Sequence, residues 1–143
     1  VTLKIEDNQG NTLDFSIDND NPFFINKITS IPTLGETTNK AYELKLASKE
    51  FLDNEQGWSR VRTCFSGQVS DHVKTILEDN LKTEKDLDIE ETKKPLDFIG
   101  KNKKAFFILN DLAKKAVSSK IEGEGNTAGY FFWETANGFH FKS

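Results

Sequence analysis

Apolar and polar residues alternate along the first third of the chain. Thr2-Leu3-Lys4-Ile5-Glu6 and Thr12-Leu13-Asp14-Phe15-Ser16-Ile17 both follow a period of two, and Asp7-Asn8-Gln9-Gly10-Asn11 between them is turn chemistry. A hairpin over residues 1–17 is predicted. Asp18-Asn19-Asp20-Asn21-Pro22 reads as a loop, residues 23–28 as a strand, and Pro32, Gly35 and Thr37-Thr38-Asn39 as a turn. In residues 41–47, Tyr42, Leu44 and Leu46 alternate with Glu43 and Lys45, the pattern of a half-buried strand in an antiparallel meander.

The period changes at Ser48, which can cap a short helix over residues 49–55 that Gly57 stops. Residues 59–65 read as a strand. Ser66 or Ser70 is placed to cap a helix running to Leu81, with Val73, Ile76, Leu77 and Leu81 on one stripe. Residues 82–94 are strongly charged, with a short strand at Leu87-Asp88-Ile89, and Pro95 breaks the segment. Phe106, Leu109, Leu112, Ala113 and Ala116 fall at helical spacing within residues 105–117, and residues 118–127 form a polar loop. Two aromatic runs then flank Asn137-Gly138, a type I′ hairpin signal because both central residues of that turn need positive φ. Tyr130, Phe132 and Glu134 share one face of the first strand, and Phe131 and Trp133 the other. Aromatics on both faces predict that this strand is covered on two sides. On the second strand Phe139 and Phe141 alternate with His140 and Lys142. The order of elements gives an α+β class. A partial, barrel-like antiparallel β domain is expected over 1–47, then an α+β domain over 48–143 that closes with the hairpin 129–143.

Composition adds bounds. A chain of 143 residues buries roughly 70% of its unfolded surface, enough for a real core. Only 36% of residues are hydrophobic, but the twelve Phe supply core volume. A net charge of −4 argues against a basic stripe for specific nucleic-acid binding. Cys64 is alone, so no internal disulfide forms. No apolar run reaches the roughly 18 residues of a membrane span. The chain begins at Val1, holds no Met and ends on a strand. It reads as a piece of a longer protein or a processed product.

Candidate chemistry is sparse. Nothing around Cys64 supports pairing it with His72 as nucleophile and base, and a free cysteine in a strand is ordinarily a small buried hydrophobe. His140, on the wet face of the last strand, reads as solvated. Two His and one Cys cannot assemble a usual zinc site. Asp18-x-Asp20 begins like a calcium loop, but Pro22 and Phe23 stand where an oxygen ligand and a glycine are needed. The acidic runs Asp86/Asp88/Glu90/Glu91 and Glu122/Glu124 read as solvated faces. Gly123-Glu124-Gly125-Asn126-Thr127-Ala128 follows a helix and precedes a strand, the reverse of the dinucleotide-binding context. Trp58, Tyr130 and Trp133 are the aromatics that could stack on a sugar. The residues alone therefore indicate a binding or assembly domain, without a catalytic constellation, a metal or a cofactor.

Leu112-Ala113-Lys114-Lys115-Ala116, a polar loop, and then Tyr130-Phe131-Phe132-Trp133-Glu134-Thr135-Ala136-Asn137-Gly138-Phe139-His140-Phe141-Lys142-Ser143 resemble the baseplate hub proteins of contractile-tailed bacteriophages. Residues 65–77, Phe-Ser-Gly-Gln-Val-Ser-Asp-His-Val-Lys-Thr-Ile-Leu, and Ala41 to Glu50, with Leu-Lys-Leu-Ala-Ser-Lys-Glu, look like further segments of that family. The similarity covers about residues 23–143. Asp111 stands where the family usually has Trp. The resemblance implies a non-enzymatic virion protein whose trimers join the sixfold tail tube to the threefold spike, with a fold shared by type VI secretion spikes. Its implied partners are other hub subunits, tail-tube protein and spike protein, with no membrane and no specific nucleic-acid binding. Its marker residues here are Tyr130, Phe132, Trp133, Glu134, Asn137, Gly138, Phe139 and Phe141. The alternative from the aromatics is a carbohydrate or cell-wall binding module. An assembly protein would place its aromatics in the core, whereas a sugar binder would keep an exposed aromatic pair. A hydrolase reading would need an acidic pair such as Glu122 and Glu124.

Overall fold

The structure, a computed structural model, describes residues 3–18, 22–31, 40–119 and 129–143. Most of the loops predicted at 18–22, 32–39 and 118–127 lie outside these residues, as do Glu122, Glu124 and the glycine pattern beside them. The fold is α+β, with antiparallel strands first and a strand hairpin last, and no closed barrel among the described residues. The chain divides into two compact units, Val1–Leu52 and Asp53–Ser143.

In the first unit, β1 (Lys4–Glu6) pairs antiparallel with β2 (Thr12–Asp14), as the alternation predicts. The Asp7 carboxylate accepts the backbone N–H groups of Gln9 and Asn11 at 2.8 Å, and Gly10 takes the positive φ, +83°, that closes the turn. Phe15 is buried and stacks on Phe23, centroids 4.3 Å apart. Lys4 reaches Asp14 at 2.8 Å across the hairpin. That ion pair, followed by the Ser16 hydroxyl and N–H, holds the Asp14 carboxyl down to about 2. A carboxylate depressed in the folded state contributes stability that is complete above its unfolded pKa, near 4, and lost as pH falls toward the folded value. Asp14 is therefore expected to titrate with a midpoint near 2 when followed by its side-chain carboxyl NMR shift. A midpoint at the ordinary aspartate value would show that Lys4 and Ser16 do not hold it.

β3 (Phe24–Ile31) and β4 (Ala41–Ala47) form a separate two-stranded antiparallel ribbon. A bulge at Asn26 shifts the register, so Ile25 opposite Leu46 and Ile28 opposite Leu44 fall on one face despite their spacing of three. The half-buried strand expected at 41–47 is corrected: β4 is a strand, but Tyr42 and Leu44 are exposed. Alternation reports two unlike faces, not that anything covers the apolar one. α1 (Lys49–Glu55) follows, with the Ser48 hydroxyl accepting the Phe51 N–H at 3.3 Å, the expected cap.

The second unit holds one core. α2 (Val69–Thr75) continues into a π-helical turn, Ile76–Asn80, and its stripe of Val69, Val73, Ile76, Leu77 and Leu81 is buried. Neither Ser66 nor Ser70 caps it. Gln68 sits at the cap position without a side-chain bond, and the Ser70 N–H is met by Thr92 Oγ1 at 3.1 Å. Of the strand expected at 59–65, only β5 (Cys64–Phe65) forms, because its partner β7 (Phe98–Ile99) is two residues long. α3 (Ala105–Lys115) buries Leu109, Leu112 and Ala113 as expected, together with Ala105 and Ile108, whereas Phe106 is only partly buried and Ala116 lies just past the helix end. Lys104 begins it without a capping side chain, and the buried Asn54 supplies the missing acceptor by taking the Phe106 N–H at 2.9 Å. β6 (Asp86–Ile89), β8 (Phe131–Glu134) and β9 (Gly138–Lys142) make a mixed sheet in the order β6-β9-β8. β6 runs parallel to β9, with α3 within the crossover, and β8 is antiparallel to β9.

The closing hairpin is present, but its turn is not the predicted one. Thr135 and Gly138 close it, with Thr135 N–H donating to the Gly138 carbonyl at 2.8 Å, so Ala136 and Asn137 are the turn residues. Neither Asn137 nor Gly138 has positive φ. Gly138 is needed for another reason: a Cβ there would lie 2.2 Å from the Asp86 carbonyl oxygen of β6.

Candidate functional site

The hairpin presents two unlike faces. Inside, Phe132 stacks on Phe139 at 5.7 Å, Phe106 packs against both, and Tyr130 lies 4.9 Å from Phe141. Phe139 and Phe141 are fully buried. The Tyr130 hydroxyl donates to the Glu91 carbonyl at 2.8 Å, and burial pushes its pKa up. Glu90 gathers the Ser118 and Ser143 hydroxyls at 3.2 and 2.8 Å, tying the last residue of the chain to the end of β6. Glu134 pairs with the nearly buried Lys85.

The outer face is open. Phe131 is 66% exposed and Trp133 41%. Covering on two sides is thus corrected: the inner face of β8 is covered and its outer face is not. Register places Phe131 opposite Lys142, and Trp133, His140 and Asp88 in one row across β8, β9 and β6. Trp133 stacks on the His140 ring, centroids 5.1 Å apart at 15°. His140 is half-buried and bonded at both nitrogens, not merely solvated. Its Nδ1 lies 3.2 Å from Asp88 Oδ2 and its Nε2 2.9 Å from the Thr135 hydroxyl. An ionised carboxylate only accepts, so Nδ1 carries a proton. The Lys142 ammonium, and after it the His140 ring, hold the Asp88 carboxyl below the usual carboxylate range.

Asp88, His140 and Thr135 follow the acid–imidazole–hydroxyl order of nucleophilic catalysis. Here they lie on an open sheet face, with Asp88 and Thr135 exposed to water. The Thr135 hydroxyl proton also has a second acceptor, the Gly138 carbonyl at 3.3 Å. Among the described residues the row is a hydrogen-bonded strip beside an aromatic platform. Sequence reasoning missed it because Asp88 is 52 residues from His140 and meets it only through the parallel pairing of β6 with β9. The one legible signal was the short strand at Leu87-Asp88-Ile89, whose polar middle position had to face outward.

The other expected residues are dispersed. Cys64 is in its strand but exposed, which corrects the expectation of a buried hydrophobe. His72 is buried between Phe65 and Phe98, and its Nε2–H donates to the Leu96 carbonyl at 2.8 Å, so no nucleophile–base pair forms. Trp58 is exposed, with the Lys82 ammonium 5.5 Å from its ring. Tyr130 is buried and cannot stack on a sugar. A groove of about 460 Å³, lined by Ile99, Lys101, Lys103, Phe107, Asp111 and Lys115 among others, is a separate apolar surface rimmed by lysines. Comparison of the chain with protein families, with curated proteins and with solved structures finds no match.

Proposed function

We propose that the chain is a structural, non-enzymatic subunit of a phage tail baseplate hub, or a fragment of one, which joins the tail tube to the central spike within the virion. The observation that carries this reading is the use made of the motif residues behind the resemblance. Phe132, Phe139 and Phe141 pack against the helical core, Gly138 admits β6, Glu134 holds Lys85 and Thr135 closes the turn. Motif residues engaged in packing and pairing are compatible with a scaffold role. The exposed apolar face of the β3–β4 ribbon supplies a surface for assembly. Its partners would be other hub subunits in a trimer, tail-tube protein and spike protein.

Light scattering on the full-length parent, alone and mixed with tube and spike proteins from the same source, tests this. A trimer, or a complex that co-elutes with the spike, is expected. A monomer indifferent to both partners would sink the hub and leave the second reading, a carbohydrate or cell-wall binding module. That reading is favoured by one observation, the neighbouring exposed rings of Phe131 and Trp133 beside His140 and Lys142. Its signature is a change in tryptophan fluorescence on adding soluble cell-wall glycan that Trp133→Ala removes and Trp58→Ala leaves intact.

A further inference from the structure

We infer that β4 is a self-pairing edge: two copies of this chain join antiparallel through it, on a two-fold axis at Leu44. β4 has β3 on one side and no strand on the other among the described residues, so its outer row of N–H and C=O groups is open. The opposite edge of the ribbon, along β3, is broken by the bulge at Asn26, whereas β4 is regular from end to end. Bulges blunt edges against pairing, so β4 is the competent one. An isolated two-stranded ribbon is marginal in water and gains from further strands.

The sequence of β4 selects the partner. Ala41-Tyr42-Glu43-Leu44-Lys45-Leu46-Ala47 is pseudo-palindromic in character about Leu44. Antiparallel pairing on that centre sets Leu44 against its own copy and Tyr42 against Leu46 of the second copy. It also sets Glu43 against Lys45 of the second copy, twice by symmetry. Side chains directly opposite in a sheet share a face. The exposed apolar face carrying Ile25, Ile28, Tyr42 and Leu44 would thus run on across the axis. The polar face would gain opposite charges where the lone ribbon has like ones, because Lys27 stands directly opposite Lys45. Such an isologous contact closes on itself and yields a dimer rather than a filament. It does not depend on the hub reading.

Sedimentation of the full chain over a range of concentrations tests the pairing by charge reversal. The unsubstituted chain is expected to dimerise. Glu43→Lys alone and Lys45→Glu alone each place like charges on the axis, and each should weaken the dimer by on the order of tenfold. The double variant E43K/K45E should recover it, and an equimolar mixture of the two single variants should form a heterodimer, since each supplies what the other lacks. Recovery in the double variant excludes misfolding of the singles as the cause. A chain monomeric at every concentration would overturn the inference, as would single variants that associate like the unsubstituted chain. A trimer untouched by these variants would overturn it while upholding the hub. A β4-dependent dimer indifferent to tube and spike would uphold it while removing the hub.

Discussion

Gly138→Ala is expected to destabilise the C-terminal unit by about 3 kcal/mol or more, the upper end of what overpacking costs. The added methyl would lie 2.2 Å from the Asp86 carbonyl oxygen and 2.9 Å from its carbon. Both are backbone atoms in the strand that pairs with β9, so no rotamer change relieves the contact. β6 must separate from β9 or the whole register must shift. Because β6 also carries Asp88 and leads into Glu90, separation would release the His140 and Lys142 contacts and the Tyr130 and Ser143 bonds together. For a unit of this size the loss corresponds to a fall on the order of 15 °C in Tm. Gly57→Ala is the matched control, since nothing lies within 4 Å of a Cβ at that position. Calorimetry on both variants, with amide exchange across Asp86–Ile89, gives the answer. Equal melting of the two would show that the close approach of β6 to Gly138 is not maintained in solution.

That prediction turns on how far the hairpin could be read in advance. Asn137-Gly138 signals a turn truthfully, yet the reason differs from the local one. The turn closes one residue earlier on Ala136-Asn137, and the glycine answers to a strand about fifty residues away. Local chemistry was legible wherever neighbours in sequence decide the outcome. The Asp7 turn, the Ser48 cap, the buried stripe of α2 and the Leu109, Leu112 and Ala113 positions of α3 were readable from spacing. It failed where a distant segment decides. Thr92 takes the role assigned to Ser66 or Ser70, and Asn54 accepts from Phe106, 52 residues later, at the start of α3. The same limit hid the candidate site. Asp88, Thr135 and His140 were each visible as polar residues, but their row exists only through the parallel β6–β9 register. Exposure was least legible of all, because a face rich in apolar residues looks the same whether or not something covers it. Phe131, Trp133 and the β3–β4 ribbon were misjudged for that reason.

The two faces of the hairpin offer the sharpest test of that last point. Phe141→Ala is expected to cost about 3–5 kcal/mol, the range for deleting a buried aromatic ring, whereas Phe131→Ala should change stability by no more than about 0.5 kcal/mol. Both are phenylalanines in the same three-stranded sheet, Phe141 on the central strand and Phe131 on an edge strand, and strand propensity accounts for no more than about 1 kcal/mol between such positions. They differ in what surrounds the ring. Phe141 is fully buried, pairs with Ile89 on one side and Phe132 on the other, and packs against Tyr130, so its loss leaves a cavity between the sheet and the helices. Phe131 is two-thirds exposed opposite Lys142, and water replaces most of what it touches. Denaturant unfolding of the two variants measures the difference directly, with the midpoints compared at a common slope. A gap of several kcal/mol fixes the inner face as core and leaves the outer ring free for a partner or a glycan. Comparable losses in both would mean that the outer face of β8 is covered in the folded protein. In that case Phe131 and Trp133 would count as packing residues, and the carbohydrate reading would lose the observation that favours it.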